Sequence, residues 1–203
     1  MKVLGVILAG GSGRRLGARN KALVRVGKQR MLDLVIQRLQ PQCSAIAIST
    51  SGNQEWATDY PFKILQDPAG GSNGPLTGIV AGLDWAANRS ETVDWLVSVP
   101  VDCPFLPANL VTKLTSIDHQ IVVAESEGVI HHTIAVWRPA LLKVAALQIS
   151  RQELALGKLQ EEVGFHIMNW ETHGIDPFFN VNHSQDLHIA NNYFIATRAS
   201  LNQ

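Results

Sequence analysis

From Leu8 to Gly17 the chain reads Leu8-Ala9-Gly10-Gly11-Ser12-Gly13-Arg14-Arg15-Leu16-Gly17, with Lys21 a few residues on. Glycines in such a run let backbone N–H groups turn toward a polyphosphate and approach it closely, while Arg15 and Lys21 supply the positive charge that the amides only partly provide. The plain alternative is a glycine turn flanked by solvated basic residues. Asp102, just past an apolar run, is placed to hold a hard cation such as Mg²⁺ among phosphate oxygens, or to cap a helix ahead of Pro104 and Pro107. Asp67 opens a loop rich in turn residues, where its carboxylate accepts hydrogen bonds from a base or ribose or closes an Asx turn. Gly74-Pro75-Leu76-Thr77-Gly78 permits close backbone approach and then starts a helix, so it holds a base or merely turns the chain.

Two familiar phosphate motifs are excluded. A Walker A loop needs Gly-Lys followed by Ser or Thr, whereas Gly27-Lys28 precedes Gln29 and Gly157-Lys158 precedes Leu159. A dinucleotide fingerprint beginning at Gly11 would need a small residue at Leu16 and an acid near Ser49 and Thr50. Histidines here have no metal-ligand spacing.

The run from Leu8 to Lys21 instead resembles the signature of the nucleotidyltransferase superfamily, Leu-Ala-Gly-Gly-x-Gly-x-Arg-x-Gly with a downstream lysine. Asp67, Gly74 to Gly78, Asp102 after Pro100, His131 with Thr133, and Asn180-Val181-Asn182 extend the likeness over nearly the whole chain, toward the molybdenum cofactor guanylyltransferases, the MobA family. The resemblance implies that the terminal phosphate of molybdopterin attacks the α-phosphate of GTP and expels pyrophosphate. It implies catalytic roles for Arg15, Lys21 and Asp102, with magnesium on Asp102. GTP would then be held by Leu8, Ala9, Gly10, Gly11, Gly13, Lys21, Ser49, Asp67, Gly74, Pro75, Leu76, Gly78 and Asp102. His131, Thr133, Asn180 and Asn182 are its candidates for the acceptor, with Asn182 also a candidate neighbour of the metal or phosphate, although the same residues also suit structural roles: a hydrogen-bonded histidine at a strand start, and an Asx turn before the last helix. The implied partners are GTP, molybdopterin or the molybdenum cofactor, and other proteins of that biosynthesis. Three positions depart from the family pattern: Ser49 where an asparagine is found, Asn20 where an acid is often found, and His132 where a proline often follows the histidine. Gly10-Gly11, where cytidylyltransferases commonly show Ala-Gly, points away from CTP. Nucleotidyl transfer to a sugar phosphate, and nucleotide binding without catalysis, are the rival readings of the same glycine run.

These residues must be positioned by elements that the apolar pattern makes visible. Val3 to Leu8 reads as a first buried strand, Met31 to Gln40 as an amphipathic helix stopped by Pro41, and Ala45 to Thr50 as a second strand. Lys63 to Leu65 is a weaker strand, Leu76 to Asn88 a helix, Trp95 to Val99 a strand, and Pro107 opens a helix to about Ser116. Further strands are expected at Ile121 to Glu125, Thr133 to Trp137 and His166 to Trp170, with helices from Pro139 and up to Gly164. Phe178 to Asn182 would be a last extended segment that turns both asparagines to one side, and Ser184 would begin the final helix, with Leu187, Ala190, Asn191 and Phe194 on one side. Strands alternating with helices predict a Rossmann-like three-layer α/β/α fold with a mostly parallel sheet and ligands at the carboxyl ends of its strands.

At 203 residues, with 46% apolar and 17% charged side chains, the chain is expected to form one domain, residues 1–203, its nucleotide-binding half at about 1–105 and its acceptor-binding half at about 106–203. Seventeen basic side chains balance 17 acidic ones, so no global field draws nucleic acid or an anionic membrane. No apolar run is long enough to span a bilayer. The two cysteines, Cys43 and Cys103, form neither a redox nor a metal motif, and a cytoplasmic location is expected.

Overall fold

Apolar runs that alternate their side chains between two faces become strands buried on both sides, and the amphipathic segments between them become the covering layers. In the computed structural model, which describes residues 1–11, 13–18, 20–51, 55–66 and 74–201, this produces a seven-stranded sheet. The elements in chain order are β1 (Val3–Leu8), a small hairpin of β2 (Arg25–Val26) and β3 (Gln29–Arg30), α1 (Met31–Leu39), β4 (Ala45–Thr50), β5 (Lys63–Gln66), α2 (Pro75–Ala87) and β6 (Trp95–Pro100). They continue with α3 (Leu110–Leu114), β7 (Ile121–Ser126), β8 (Val129–Trp137), α4 (Leu142–Ser150), α5 (Leu156–Val163), β9 (His166–Trp170) and α6 (Ser184–Leu201).

The strand order is β5-β4-β1-β6-β8-β7-β9. Every neighbouring pair is parallel except those made by β8, which runs antiparallel between β6 and β7. Along β1, Val3 and Ile7 face the layer formed by α1 and α3, whereas Leu4 and Val6 face α2, α4 and α5, which gives the expected three layers. A third cluster joins Val24, Val26, Met31 and Leu34 to Val181 and Ala190, so α6 closes over the hairpin next to the glycine run.

Three expected elements change shape. The helix expected from Pro107 to Ser116 is confined to Leu110–Leu114, because residues before it form a turn in which Leu110 N–H reaches the Pro107 carbonyl. The strand expected at Thr133 starts four residues earlier, at Val129, and makes a hairpin with β7 through Glu127 and Gly128, both at positive φ. Val123 faces Ala135 while the next residue, Ala124, faces His131, so one step along β7 is answered by four along β8 and residues 132–134 form a bulge. The extended segment expected at Phe178 to Asn182 is irregular: Phe178 and Val181 are buried, Phe179 N–H turns back to the Asp176 carbonyl, and Asn180 is exposed while Asn182 is half-buried. The two asparagines therefore do not share one environment.

Candidate active site

Parallel strands end together, and the carboxyl ends of β1, β4 and β6 with the start of α2 bound a cleft of about 690 Å³. Leu8, Gly10 and Gly11 come from the end of β1, Ser49 and Ser51 from β4, Pro100, Val101 and Asp102 from β6, and Gly74, Pro75 and Gly78 from α2; Lys21 and Thr133 complete the wall. The strand ends are stitched by Ala9 N–H to the Ser49 carbonyl (2.8 Å) and Val101 N–H to the Leu8 carbonyl (3.1 Å). The glycine run then folds on itself, with the Gly13 carbonyl accepting from Leu16 N–H (2.9 Å) and Ala18 N–H (3.0 Å). A Cβ on Gly13 would stand 3.0 Å from the Ala18 carbonyl oxygen, so the turn is tight enough to favour glycine.

α2 reaches the cleft because two glycines let it lie directly on the sheet. A Cβ on Gly78 would stand 2.6 Å from Ser49 Oγ and 2.7 Å from Leu8 Cδ2, and one on Gly82 would stand 2.9 Å from Leu96 Cδ2. The departure at Ser49 thus has a packing reason, since the small side chain fits under Gly78.

At the centre, the Lys21 ammonium donates to Asp102 Oδ2 at 2.5 Å and also to Asn182 Oδ1. The Lys21 and Asp102 side chains are only 10% and 15% exposed, so the pair is largely withdrawn from water. Each partner is fixed separately. Asn20, a second departure, accepts Ala22 N–H at 2.8 Å and caps the short helical turn Lys21–Leu23. The Asp102 carbonyl accepts Val181 N–H at 2.9 Å, and Asp186 accepts Asn182 N–H (2.9 Å) and His183 N–H (2.8 Å) at the start of α6. Beneath Asp102, the buried Cys103 thiol donates to the Phe178 carbonyl at 3.3 Å, and burial, with the Asp102 charge beside it, pushes its pKa well up.

The family model for the MobA-like NTP transferase domain matches residues 5–163, a span that includes all the residues lining the cleft. The chain belongs to this family. It is 40% identical over 194 residues to the molybdenum cofactor guanylyltransferase of Rhodopseudomonas palustris strain HaA2, covering 90% of this chain and 87% of that one. Against the protein of the same name from Acidiphilium cryptum the identity is 35%, over 91% and 92% of the two chains. The fold is shared with the molybdopterin-guanine dinucleotide biosynthesis protein A of Archaeoglobus fulgidus (TM-score 0.73, 17% identity, 95% and 99% of the chains). It is also shared with the 2-C-methyl-D-erythritol 4-phosphate cytidylyltransferase of Thermus thermophilus (TM-score 0.69, 18% identity, 95% and 98%). This MobA-like chain is therefore a nucleotidyltransferase by family, on a Rossmann-like α/β/α sheet.

The residues that the sequence marks as candidates fall into distinct places in this MobA-like site. Leu8, Gly10, Gly11, Lys21, Ser49, Gly74, Pro75, Gly78, Asp102 and Thr133 meet in the cleft, and Asn182 joins through Lys21. Ala9, Gly13 and Leu76 are buried behind its wall, where their side chains or turn geometry shape it. Arg15 is exposed on the turn Arg14–Leu16, outside the lining residues, as is Asn180. Asp67 lies outside the described residues. His131 sits behind Thr133 in a hydrogen-bonded network: Ser126 Oγ donates to Asp176 Oδ1 (2.7 Å), which leaves His131 Nε2–H to donate to Ser126 Oγ (2.8 Å). Its ring lies 5.0 Å from that of Phe178, and burial lowers its pKa despite the nearby Asp176 and Glu125. This is the arrangement of a satisfied structural histidine. Ser51, Pro100 and Val101 also line the cleft, although the motifs do not point to them; their signal is their position at strand ends, the rule that selects Ser49 and Asp102.

Among the described residues no three or more His, Cys, Asp or Glu side chains gather as a metal cage. One carboxylate and one amide oxygen do meet, at Lys21, and such a sparse set of hard oxygens fits Mg²⁺, which takes one or two carboxylates and completes its shell from phosphates and water.

Proposed function

We propose that the chain is a molybdenum cofactor guanylyltransferase, transferring GMP from GTP to the terminal phosphate of molybdopterin, with or without its molybdenum, and releasing pyrophosphate. The observation that carries this reading is the meeting of Lys21 and Asp102, 81 residues apart, in the wall of a glycine-lined cleft. Simple nucleotide binding would not require a withdrawn carboxylate beside the phosphate lysine. The 40% identity to a protein named for this activity supports the donor and acceptor.

In this mechanism an acceptor phosphate oxygen forms a bond to the α-phosphorus of GTP as the bond from that phosphorus to the bridging oxygen of the β-phosphate breaks, and the electron pair leaves with pyrophosphate. The nucleophile is already anionic near neutral pH, so no general base is needed, and positioning with charge stabilisation carries the step. Amides of Gly10 and Gly11 cradle the triphosphate, and Lys21 neutralises charge that accumulates on it. Asp102, with Asn182, would hold Mg²⁺, which when bound offsets negative charge on the transferred and leaving phosphates. Ser49 and the start of α2 form the base end, Asp67 contacts the nucleoside, and Thr133 faces the acceptor. Arg15, exposed on its turn outside the lining residues, is assigned to the phosphates by its place in the signature. Residues 1–105 form the nucleotide half and 106–203 the acceptor half of one domain that works in the cytoplasm, where other proteins of the same biosynthesis meet it. No helix among the described residues is long and apolar enough to cross a membrane.

The test is pyrophosphate release from GTP, CTP and ATP, each with molybdopterin and with no acceptor. Release that needs GTP, molybdopterin and a divalent cation together is the expected result. A preference for CTP, or equal release without acceptor, would overturn the assignment.

A further inference from the structure

One wall of the cleft is made by a bulge rather than by a strand end, and a bulge has no ladder to hold it. The residues of that bulge are His132, Thr133 and Ile134, and Thr133 is the one that lines the cleft. Its carbonyl accepts Ser98 Oγ–H at 2.8 Å, and Ser98 in turn accepts Trp137 Nε1–H at 2.9 Å, which ties the far side of the bulge to β6. The near side is tied by a residue from another layer. Gln160, on α5 and fully buried, donates its amide N–H to the His132 carbonyl at 2.9 Å while its Oε1 lies 2.5 Å from His132 Nδ1. A carbonyl can only accept, so the amide nitrogen must face it, and the amide oxygen must then meet a protonated Nδ1. One side chain thereby fixes both the backbone and the ring of the residue preceding Thr133. Gly157 on the first turn of α5 packs beside the ring, where a Cβ would stand 3.4 Å from His132 Cε1, an ordinary contact.

A glutamine in the middle of Leu156, Leu159 and Val163 costs desolvation that a leucine would avoid, and it persists here with both polar ends satisfied. We infer that Gln160 is a positioning residue for the acceptor side of the active site: it clamps His132 so that the bulge presents Thr133 to the cleft. This rests on the reading of the cleft as the transferase site. Among the described residues, the hydrogen bonds of the clamp join only Gln160 and His132 and none reaches Gly10, Gly11, Lys21 or Asp102, so the nucleotide side is expected to be little affected by it.

The experiment compares the wild type with Gln160→Leu, His132→Phe and the double variant in four readouts: amide hydrogen exchange of residues 131–134, KM for molybdopterin, KM for GTP, and thermal midpoint. Gln160→Leu is expected to speed exchange in 131–134 and raise the molybdopterin KM about tenfold, with kcat and the GTP KM within about twofold. His132→Phe keeps the bond to the carbonyl and gives a smaller change of the same kind. The double variant replaces both ends of the ring contact by apolar groups, so its thermal midpoint recovers while the molybdopterin KM stays high. A merely structural glutamine would let that KM recover together with the midpoint, and this outcome overturns the inference. So does unchanged exchange in Gln160→Leu, or in the double variant should the single one fail to fold. If the wild type shows no turnover with molybdopterin, the proposed function fails, while the exchange measurement still decides whether Gln160 holds the bulge.

Discussion

Asp102 and Lys21 form a nearly buried ion pair, which lets the contribution of the site to folding be separated from its contribution to chemistry. Asp102→Asn keeps the shape of the side chain and removes its charge, leaving the Lys21 ammonium, in a side chain only 10% exposed, with neutral amide oxygens in place of a counter-charge. Removing one member of a buried pair typically costs about 3–5 kcal/mol, because the survivor is a charge without compensation. Residual exposure of both groups and the Asn182 contact place this case lower, at about 2–3 kcal/mol. For a chain of this length that corresponds to a fall in thermal midpoint of about 5–10 °C. Lys21→Met should destabilise by a similar amount, and excess Mg²⁺ should restore more of its stability than it adds to the wild type, because the cation binds the folded state through the orphaned carboxylate. The double variant Lys21→Met/Asp102→Asn removes both charges and should return to within about 1 kcal/mol of the wild type. All three should lose guanylyl transfer by about 10³-fold or more, since each lacks a group that meets charge in the transition state. Urea unfolding with and without Mg²⁺, run beside pyrophosphate release, reads both quantities. Single variants as stable as the wild type, or a double variant less stable than either single one, would refute the reasoning.

Three further outcomes follow from particular contacts. Gly78→Ala should drive α2 away from Ser49 and Leu8, costing about 1–3 kcal/mol and weakening GTP binding, measured by urea midpoint and by nucleotide titration; wild-type affinity would mean that the α2 approach does not shape the nucleotide end. Burial holds the His131 pKa below its ordinary 6.5, so the unfolded chain takes up this proton first. The stability it contributes is complete above about pH 6.5 and is lost as pH falls through the lowered folded value, so His131→Phe should flatten the acid side of the urea-midpoint profile. Gly27, at φ +62° with a Cβ position 2.6 Å from the Phe194 ring, cannot take a side chain without backbone strain and displacement of that ring, so Gly27→Ala should lower the thermal midpoint by several degrees and loosen the contact of Gly27 N–H with Asn191, visible as faster exchange of that amide.

The half of the site built from parallel strands is legible in the sequence because the fold places it by rule. A buried apolar run that stops at a glycine or aspartate names a strand end, and parallel strand ends share one edge, so Leu8, Ser49 and Asp102 can be gathered from the apolar pattern alone. The final helix is equally readable, with Ala190 buried and Leu187, Asn191 and Phe194 against the hairpin and its surroundings. The acceptor side is not, because β8 breaks the alternation on which such reading depends. With residues 132–134 bulged out, His131 no longer shares a face with Thr133, and the polar stretch at 131–133 hides a strand that begins at Val129. Gln160 does carry a signal, a lone amide at a core position of an amphipathic helix, but its partner lies 28 residues away across a layer that periodicity does not connect.

The position of Asp102 shows why the last forty residues belong to the site. Three separate bonds meet on that residue and its lysine: Val181 N–H to the Asp102 carbonyl, Lys21 to the Asp102 carboxylate, and Lys21 to Asn182. Two of the three depend on a segment beyond residue 163, where the shared family domain ends. Within that segment, residues 176–183 lie past β9 and pair with no strand; Phe178 and Val181 anchor them by burial, and Asp186 ties their end to the first turn of α6. α6 in turn packs on the hairpin and α1 that follow Lys21, so the same helix steadies Lys21 through the hairpin and Asp102 through the segment that carries Val181. The glycine run and the carboxylate are thus supplied by the sheet and held in register by the pairing of Leu8 with Pro100, whereas the hold on Lys21 and on the Asp102 backbone comes in part from the C-terminal segment, so a chain cut after α5 would keep the residues of the signature without the Val181 and Asn182 contacts.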